Sequence, residues 1–241
     1  MRLKILYCLL VFQGSLVCHP VWAQQVQADS GIALFSCLEE YYGTNTLLAN
    51  GRLYNPANTR AARHPYFMAD EWSEGAIYVK GRTFSSLRLK YNLETGQLVL
   101  KQELKNGAPV NVVLTEALVD SFRIGQHLFV KLPLLEEAGG GSGFLEKIYS
   151  GDFSFYRKQK KAFIATYSSR APYGKFSEPE NSFFLLINGQ IREVHNRKAL
   201  PGFFAPHQKA IKKYMNRQRI RLNKASDAQL IQLLEYCAQL E

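Results

Sequence analysis

Cysteine is scarce in this chain of 241 residues: there are 4, and Cys8 and Cys18 both fall within the first 23 positions. Only Cys37 and Cys237 remain beyond them, too few for the disulfide framework of a small secreted scaffold. Long apolar runs are also missing after residue 24, whereas a membrane helix needs about 20 consecutive apolar residues. No membrane span is expected there. Low-complexity repeats are absent as well, and the single linker-like run is Gly139-Gly140-Gly141-Ser142-Gly143.

Catalytic motifs are lacking too. Ser142 lies among glycines, but a nucleophile elbow requires glycine two positions after the serine and Phe144 stands there. A phosphate-binding loop would continue into Lys and Ser or Thr, and Phe144-Leu145 follow instead. The run therefore reads as a flexible connection. Catalytic zinc commonly uses three protein ligands at recognisable spacing. The tightest grouping of a histidine with carboxylates, His64 with Asp70, Glu71 and Glu74, offers one histidine, so no metal or cofactor is expected. Solvated loop charges account for that grouping more simply, since Asp and Glu are usually exposed. His127, His195 and His207 are scattered singly.

What the chain does carry begins at its start. Arg2 and Lys4 precede a mostly apolar stretch over residues 5–17, and Val21-Trp22-Ala23 presents small residues where a signal peptidase cleaves. Residues 1–23 are expected to be a signal peptide, with a mature chain from Gln24 that is periplasmic or associated with the outer membrane. Lipid anchoring at Cys18 fits poorly because Val17 precedes it in place of a small residue. In an oxidising compartment Cys37 and Cys237 can bond, and closing so long a loop is worth about 4–5 kcal/mol in the chain-entropy model. Two cysteines carry no spacing pattern, however, and burial of both as small apolar groups is the plainer expectation.

Hydrophobic content of 46% and aromatic content of 12% describe a folded chain leaning towards sheet. Residues 87–93 alternate apolar and polar, Thr95-Gly96 turns, and 97–104 return, the pattern of a half-buried antiparallel hairpin. Asn-Gly pairs at 50–51, 106–107 and 188–189 mark further turns, favoured because both residues accept positive φ. Single strands are expected at 46–48, 76–80, 121–131, 148–157 and 162–168. Near the end the period changes. From Pro206, Ala210, Ile211, Tyr214 and Met215 share one helical face and Lys209, Lys212, Lys213 and Arg217 the other. Ser226 with Gln229 has the spacing of a capping box, ahead of a stripe of Leu230, Leu233, Leu234 and Cys237. The fold expected is α+β, mainly an antiparallel β meander with a short helical C-terminal element. Its portions would be 24–143, β-rich, and 144–241, hairpins plus helices.

The succession Asn50-Gly51 with Tyr54, His64-Pro65-Tyr66-Phe67, Gly81 to Phe84 and Leu87-Arg88-Leu89-Lys90-Tyr91-Asn92, closed by Ile211-Lys212-Lys213-Tyr214 and Leu233-Leu234-Glu235-Tyr236, resembles uncharacterised exported proteins of Bacteroidota. The likeness implies a periplasmic or outer-membrane-associated protein and brings no activity with it.

Charge separates the two portions. Residues 24–143 hold 11 Lys and Arg against 12 Asp and Glu, and residues 144–241 hold 17 against 8. Lys212, Lys213, Arg217, Arg219 and Arg221 are therefore expected to form part of one exposed face towards an anionic envelope lipid or an acidic protein. The basic run Arg157-Lys158-Gln159-Lys160-Lys161 sits between aromatic strands, as in some single-strand nucleic-acid binders, but export argues against nucleic acid. A charged hairpin tip is the plainer expectation. The functional expectation is a non-enzymatic binding or structural component of the cell envelope. Two alternatives stand beside it: an envelope-polymer hydrolase using carboxylates such as Asp70, Glu71 and Glu74, and a barrel-like carrier of a small apolar ligand.

Overall fold

The computed structural model describes residues 51–103, 106–137, 143–196, 198–205 and 207–240. The leader, Cys37, the expected strand 46–48 with Asn50, the run 139–142 and Pro206 lie outside the described residues. Strands β1 (Gly51–Leu53), β2 (Ser73–Val79), β3 (Arg82–Asn92), β4 (Gln97–Glu103) and β5 (Pro109–Leu114) come first. They are followed by β6 (Ser121–Ile124), β7 (His127–Val130), β8 (Leu145–Ser150) and β9 (Ser154–Lys160). Then come β10 (Phe163–Ile164), β11 (Lys175–Phe176), β12 (Glu180–Ile187) and β13 (Gln190–Glu193). One antiparallel sheet of 11 strands runs β1-β5-β4-β3-β2-β6-β7-β8-β9-β12-β13, and β10 and β11 pair separately. The sheet passes through both charge portions, because β7 pairs β8 across the glycine run.

The hairpins follow from the turn chemistry. Ile187 faces Gln190 across Asn188-Gly189, whose φ of 51° and 71° are those a two-residue hairpin turn of matching twist requires. Asn92 faces Gln97 across the turn that ends at Gly96, and its side-chain oxygen accepts from the amides of Glu94 and Thr95.

Five expectations change. The segments 121–131 and 148–157 are each two strands instead of one: β6 and β7 turn at Gly125, φ 56°, and β8 and β9 turn at 151–153. Apolar residues flank Gly125 closely enough to hide the first reversal, whereas Ser150-Gly151-Asp152 carries a turn signal at the second. The segment 162–168 shrinks to β10, which has only the two residues of β11 to pair with. Gly51 is a strand residue and not a turn residue. It faces Leu114, and a Cβ there would collide with the Val113 carbonyl. The stretch from Arg157 to Lys160 is strand rather than hairpin tip, with Arg157 and Lys161 buried.

Helix is concentrated near the end, apart from the short α1 (Pro133–Glu137). In α2 (Gln208–Arg217) Ile211 and Met215 are buried. In α3 (Asp227–Ala238) the capping box forms between Ser226 and Gln229, and Leu230, Leu233, Leu234 and Cys237 are buried. These helices cover one face of β9 and β12 through Phe155, Phe183 and Leu185, and each such fully buried side chain stabilises by about 1.5–3 kcal/mol. On the opposite face Tyr156 and Phe184 pack with Leu135 of α1. A second core packs on β2, β3, β4, β6 and β7, where Phe122 stacks on Phe129 at 4.6 Å and Tyr91, Phe144 and Phe67 meet them edge-on or tilted.

Candidate functional site

Register places three ionisable residues side by side. Phe129 of β7 faces Glu146 of β8, and Glu146 faces Arg157 of β9. His127 lies two positions from Phe129 on the same strand and so projects from the same face. The helix α3 covers that face and adds Asp227 in its first turn, a position where a carboxylate gains from the helix dipole.

The contacts between them are short. His127 Nδ1 donates to Glu146 Oε1 at 2.5 Å and lies 4.0 Å from Asp227 Oδ2. Arg157 donates from Nε and Nη2 to Glu146 Oε2 at 2.9 and 2.7 Å, and from Nη1 to Asp227 Oδ1 at 2.7 Å. Glu146 and Arg157 are 2% and 9% exposed, which makes this a buried ion pair with its hydrogen bonds filled. The His127 and Asp227 side chains reach the surface at 24% and 39%. The hydrogen bond to Glu146 raises the His127 pKa above 6.5; burial opposes it, and the charges of Glu146 and Asp227 add to it. Burial lowers that of Arg157, but both carboxylates outweigh it and the net shift is upward. The network holds two negative charges against Arg157 and an imidazole that favours its proton.

Two clefts meet at this point. The first, of about 620 Å³, has Glu74, His127, Lys147 and Asp227 among its walls with Ile124 and Ile231. The second, of about 560 Å³, lies against Arg63, His64, Arg157, Lys161 and Glu178. Met68, His127 and Asp227 line both, and Phe67 packs edge-on against the His127 ring at 5.1 Å between centroids. Within the second cleft Lys161 is 8% exposed and donates to the carbonyls of His64 and Tyr66 at 3.0 and 2.9 Å.

His127, Glu146 and Asp227 each offer an oxygen or nitrogen within 4.8 Å of the others, the number of ligands a catalytic zinc would use. Arg157, however, engages both carboxylates, so a dication would have to displace or oppose its charge. The arrangement is better suited to orienting and charging His127 than to ligating a metal.

The residues singled out by sequence scatter. Asp70 pairs with Lys90 at 2.5 Å, Glu71 is exposed, Glu74 lines the first cleft and His64 the second, so they form no single site. Lys212, Lys213, Arg217, Arg219 and Arg221 are all exposed. His195 sits 3.5 Å from Glu193 on the surface. In sequence Glu146 and Asp227 belong to no motif, and Arg157 appears only as the first residue of a basic run. Two signals were available: Glu146 interrupts an apolar strand beside Phe144 and Leu145, and Asp227 follows a capping serine.

Comparison with protein-family models, with curated proteins and with solved structures found no match.

Proposed function

We propose that this chain is an exported binding component of a bacterial cell envelope, periplasmic or outer-membrane-associated, whose ligand occupies the paired clefts at His127 and Asp227. One observation carries the reading: a buried Glu146–Arg157 pair fixes a partly exposed histidine on the wall shared by two clefts. Such pre-organisation fits recognition better than turnover. Carboxylate-driven hydrolysis needs one carboxyl to give a proton and another to act across the substrate. Glu146 lies beneath the surface and accepts from His127 and Arg157 through both of its oxygens. The charged leader and the basic C-terminal portion support an envelope location with an anionic lipid or acidic protein as neighbour.

A second reading, hydrolysis of an envelope polymer, draws on Glu74 lining the first cleft together with Asp227. Thermal-shift measurements with purified peptidoglycan fragments, outer-membrane lipid and surface polysaccharide test both. Binding predicts that at least one fraction raises the melting temperature of the wild type, less so in His127→Gln, with no new reducing ends or free amines over a day. Product release abolished by Glu74→Gln or Asp227→Asn would establish the hydrolase instead. No shift with any fraction would overturn the binding reading.

A further inference from the structure

The charges of the second cleft do not balance. Arg63, Arg157 and Lys161 line it against Glu178 and Asp227, three cations to two carboxylates. Arg63 is held by Glu178 at 2.8 Å and Arg157 by Asp227 at 2.7 Å. A proton taken up by His127 is matched by Glu146 behind it. With His127 protonated, its charge and that of Arg157 are matched by Glu146 and Asp227, and Lys161 is the cation left over. Its ammonium carries three donors, and the two that are engaged go to neutral carbonyls, those of His64 and Tyr66. No described carboxylate forms an ion pair with it.

A second group on the same wall is also unsatisfied: His64 Nδ1 is buried and has no hydrogen-bond partner. Lys161 donates to the His64 carbonyl, and both residues line the second cleft. Buried polar groups in folded proteins are nearly always hydrogen-bonded, and buried charges are nearly always compensated. Burial lowers the pKa of both His64 and Lys161; the Lys161 charge adds to the His64 shift, while Glu178 opposes that of Lys161.

We propose that the second cleft binds the singly charged oxyanion of a polar ligand, a carboxylate or a phosphodiester, through Lys161 and His64. With His127 protonated, one negative charge restores neutrality, whereas the second charge of a phosphate monoester would reverse the sign. The oxyanion accepts the third ammonium proton and a proton from the His64 ring. Phe67 and Leu93 offer apolar surface and Gln159 and Ser177 polar surface to the remainder of the ligand. This inference rests on the cleft-binding reading and specifies its ligand.

The probes are glucuronate, dimethyl phosphate, neutral glucose and sodium chloride at matched ionic strength, each added to the mature protein. Glucuronate or dimethyl phosphate is expected to bind saturably and raise the melting temperature. Either should also move the His64 titration, followed by NMR, to higher pH. A response to glucuronate alone assigns a carboxylate and a response to dimethyl phosphate alone a phosphodiester; either supports the site. Lys161→Gln, which keeps a donor for the carbonyls but not the charge, should weaken binding at least tenfold. The wild-type His64 titration serves as the readout even if that variant folds poorly. Equal responses to glucose or chloride, or none to either oxyanion, would overturn the proposal. Envelope fractions that stabilise Lys161→Gln as well as the wild type would remove the anion site and leave the broader binding reading in place. Oxyanion binding without a response to any envelope fraction would do the reverse.

Discussion

Arg157, on the interior strand β9, donates to Asp227 at the start of the last helix over 2.7 Å, a contact between residues 70 positions apart. The same guanidinium holds Glu146 on the neighbouring strand, so one side chain joins sheet, helix and cleft wall. The capping box at Ser226 sets where the helix begins and therefore where Asp227 stands.

Removing the guanidinium should expose how unequal its two contacts are. Arg157→Met leaves Glu146 buried without a counter-charge and is expected to destabilise the fold by about 3–5 kcal/mol. Asp227→Asn breaks the more exposed contact and should cost under about 1 kcal/mol. The pair Glu146→Gln with Arg157→Met should recover part of the larger loss. Urea denaturation of the three proteins checks this, and equal losses for the two single variants would contradict it.

Stability should also depend on pH in two opposing ways. Glu146 raises the folded pKa of His127 above 6.5, so its contribution is complete below 6.5 and fades as pH rises through the folded value. Burial lowers the folded pKa of His64 below 6.5, so its contribution is complete above 6.5 and is lost as pH falls through the folded value. Melting temperatures measured from about pH 5 to about pH 9 should decline on both sides of the range in which histidine titrates. His127→Gln should flatten the alkaline side and His64→Asn the acidic side.

Local pattern reveals some of this architecture and conceals the rest. The hairpin at Asn188-Gly189 and the capped final helix are written in adjacent residues, because turn and cap energetics are decided by neighbours. The reversal at Gly125 is hidden since Ile124 and Leu128 continue the apolar alternation, and a glycine inside such a run marks a bulge or a close approach as readily as a turn. The His127, Glu146, Arg157 and Asp227 group draws on three strands and a helix. Each residue alone looks like ordinary surface charge, and only the register of β7, β8 and β9 brings the first three together.

Gly75 is a second place where backbone geometry decides. It pairs with both Leu87 and Ile124 beside a register shift in β2, and a Cβ there would strike the Arg123 carbonyl and come within 2.7 Å of Leu89 Cδ1. Leu89 is fully buried, which leaves little room to yield. Gly75→Ala should destabilise the sheet by about 1–3 kcal/mol, the usual range for overpacking. Gly96→Ala supplies the contrast: its added methyl meets open space, and only the positive φ opposes it. Chemical denaturation that ranks Gly75→Ala as the milder change would show that the strand can shift at little cost.

The exposed basic residues near the end of the chain lead to the last expectation. Lys213 and Arg217 lie one helical turn apart on α2, Lys212 adjoins them, and Arg219 and Arg221 follow, all exposed while Ile211 and Met215 face inward. A cluster of this kind attracts anionic lipid by roughly 1 kcal/mol per charge close to the surface, and the attraction decays within a Debye length. Vesicles containing anionic phospholipid should therefore sediment the wild type at low ionic strength and release it as salt is added, while neutral vesicles should not retain it. Replacing Lys212, Lys213 and Arg217 together by Glu should abolish sedimentation. The melting temperature should change little, because isolated surface substitutions fall within about 0.5 kcal/mol each. Retention unaffected by both salt and charge reversal would mean that these side chains serve only to solvate the helix.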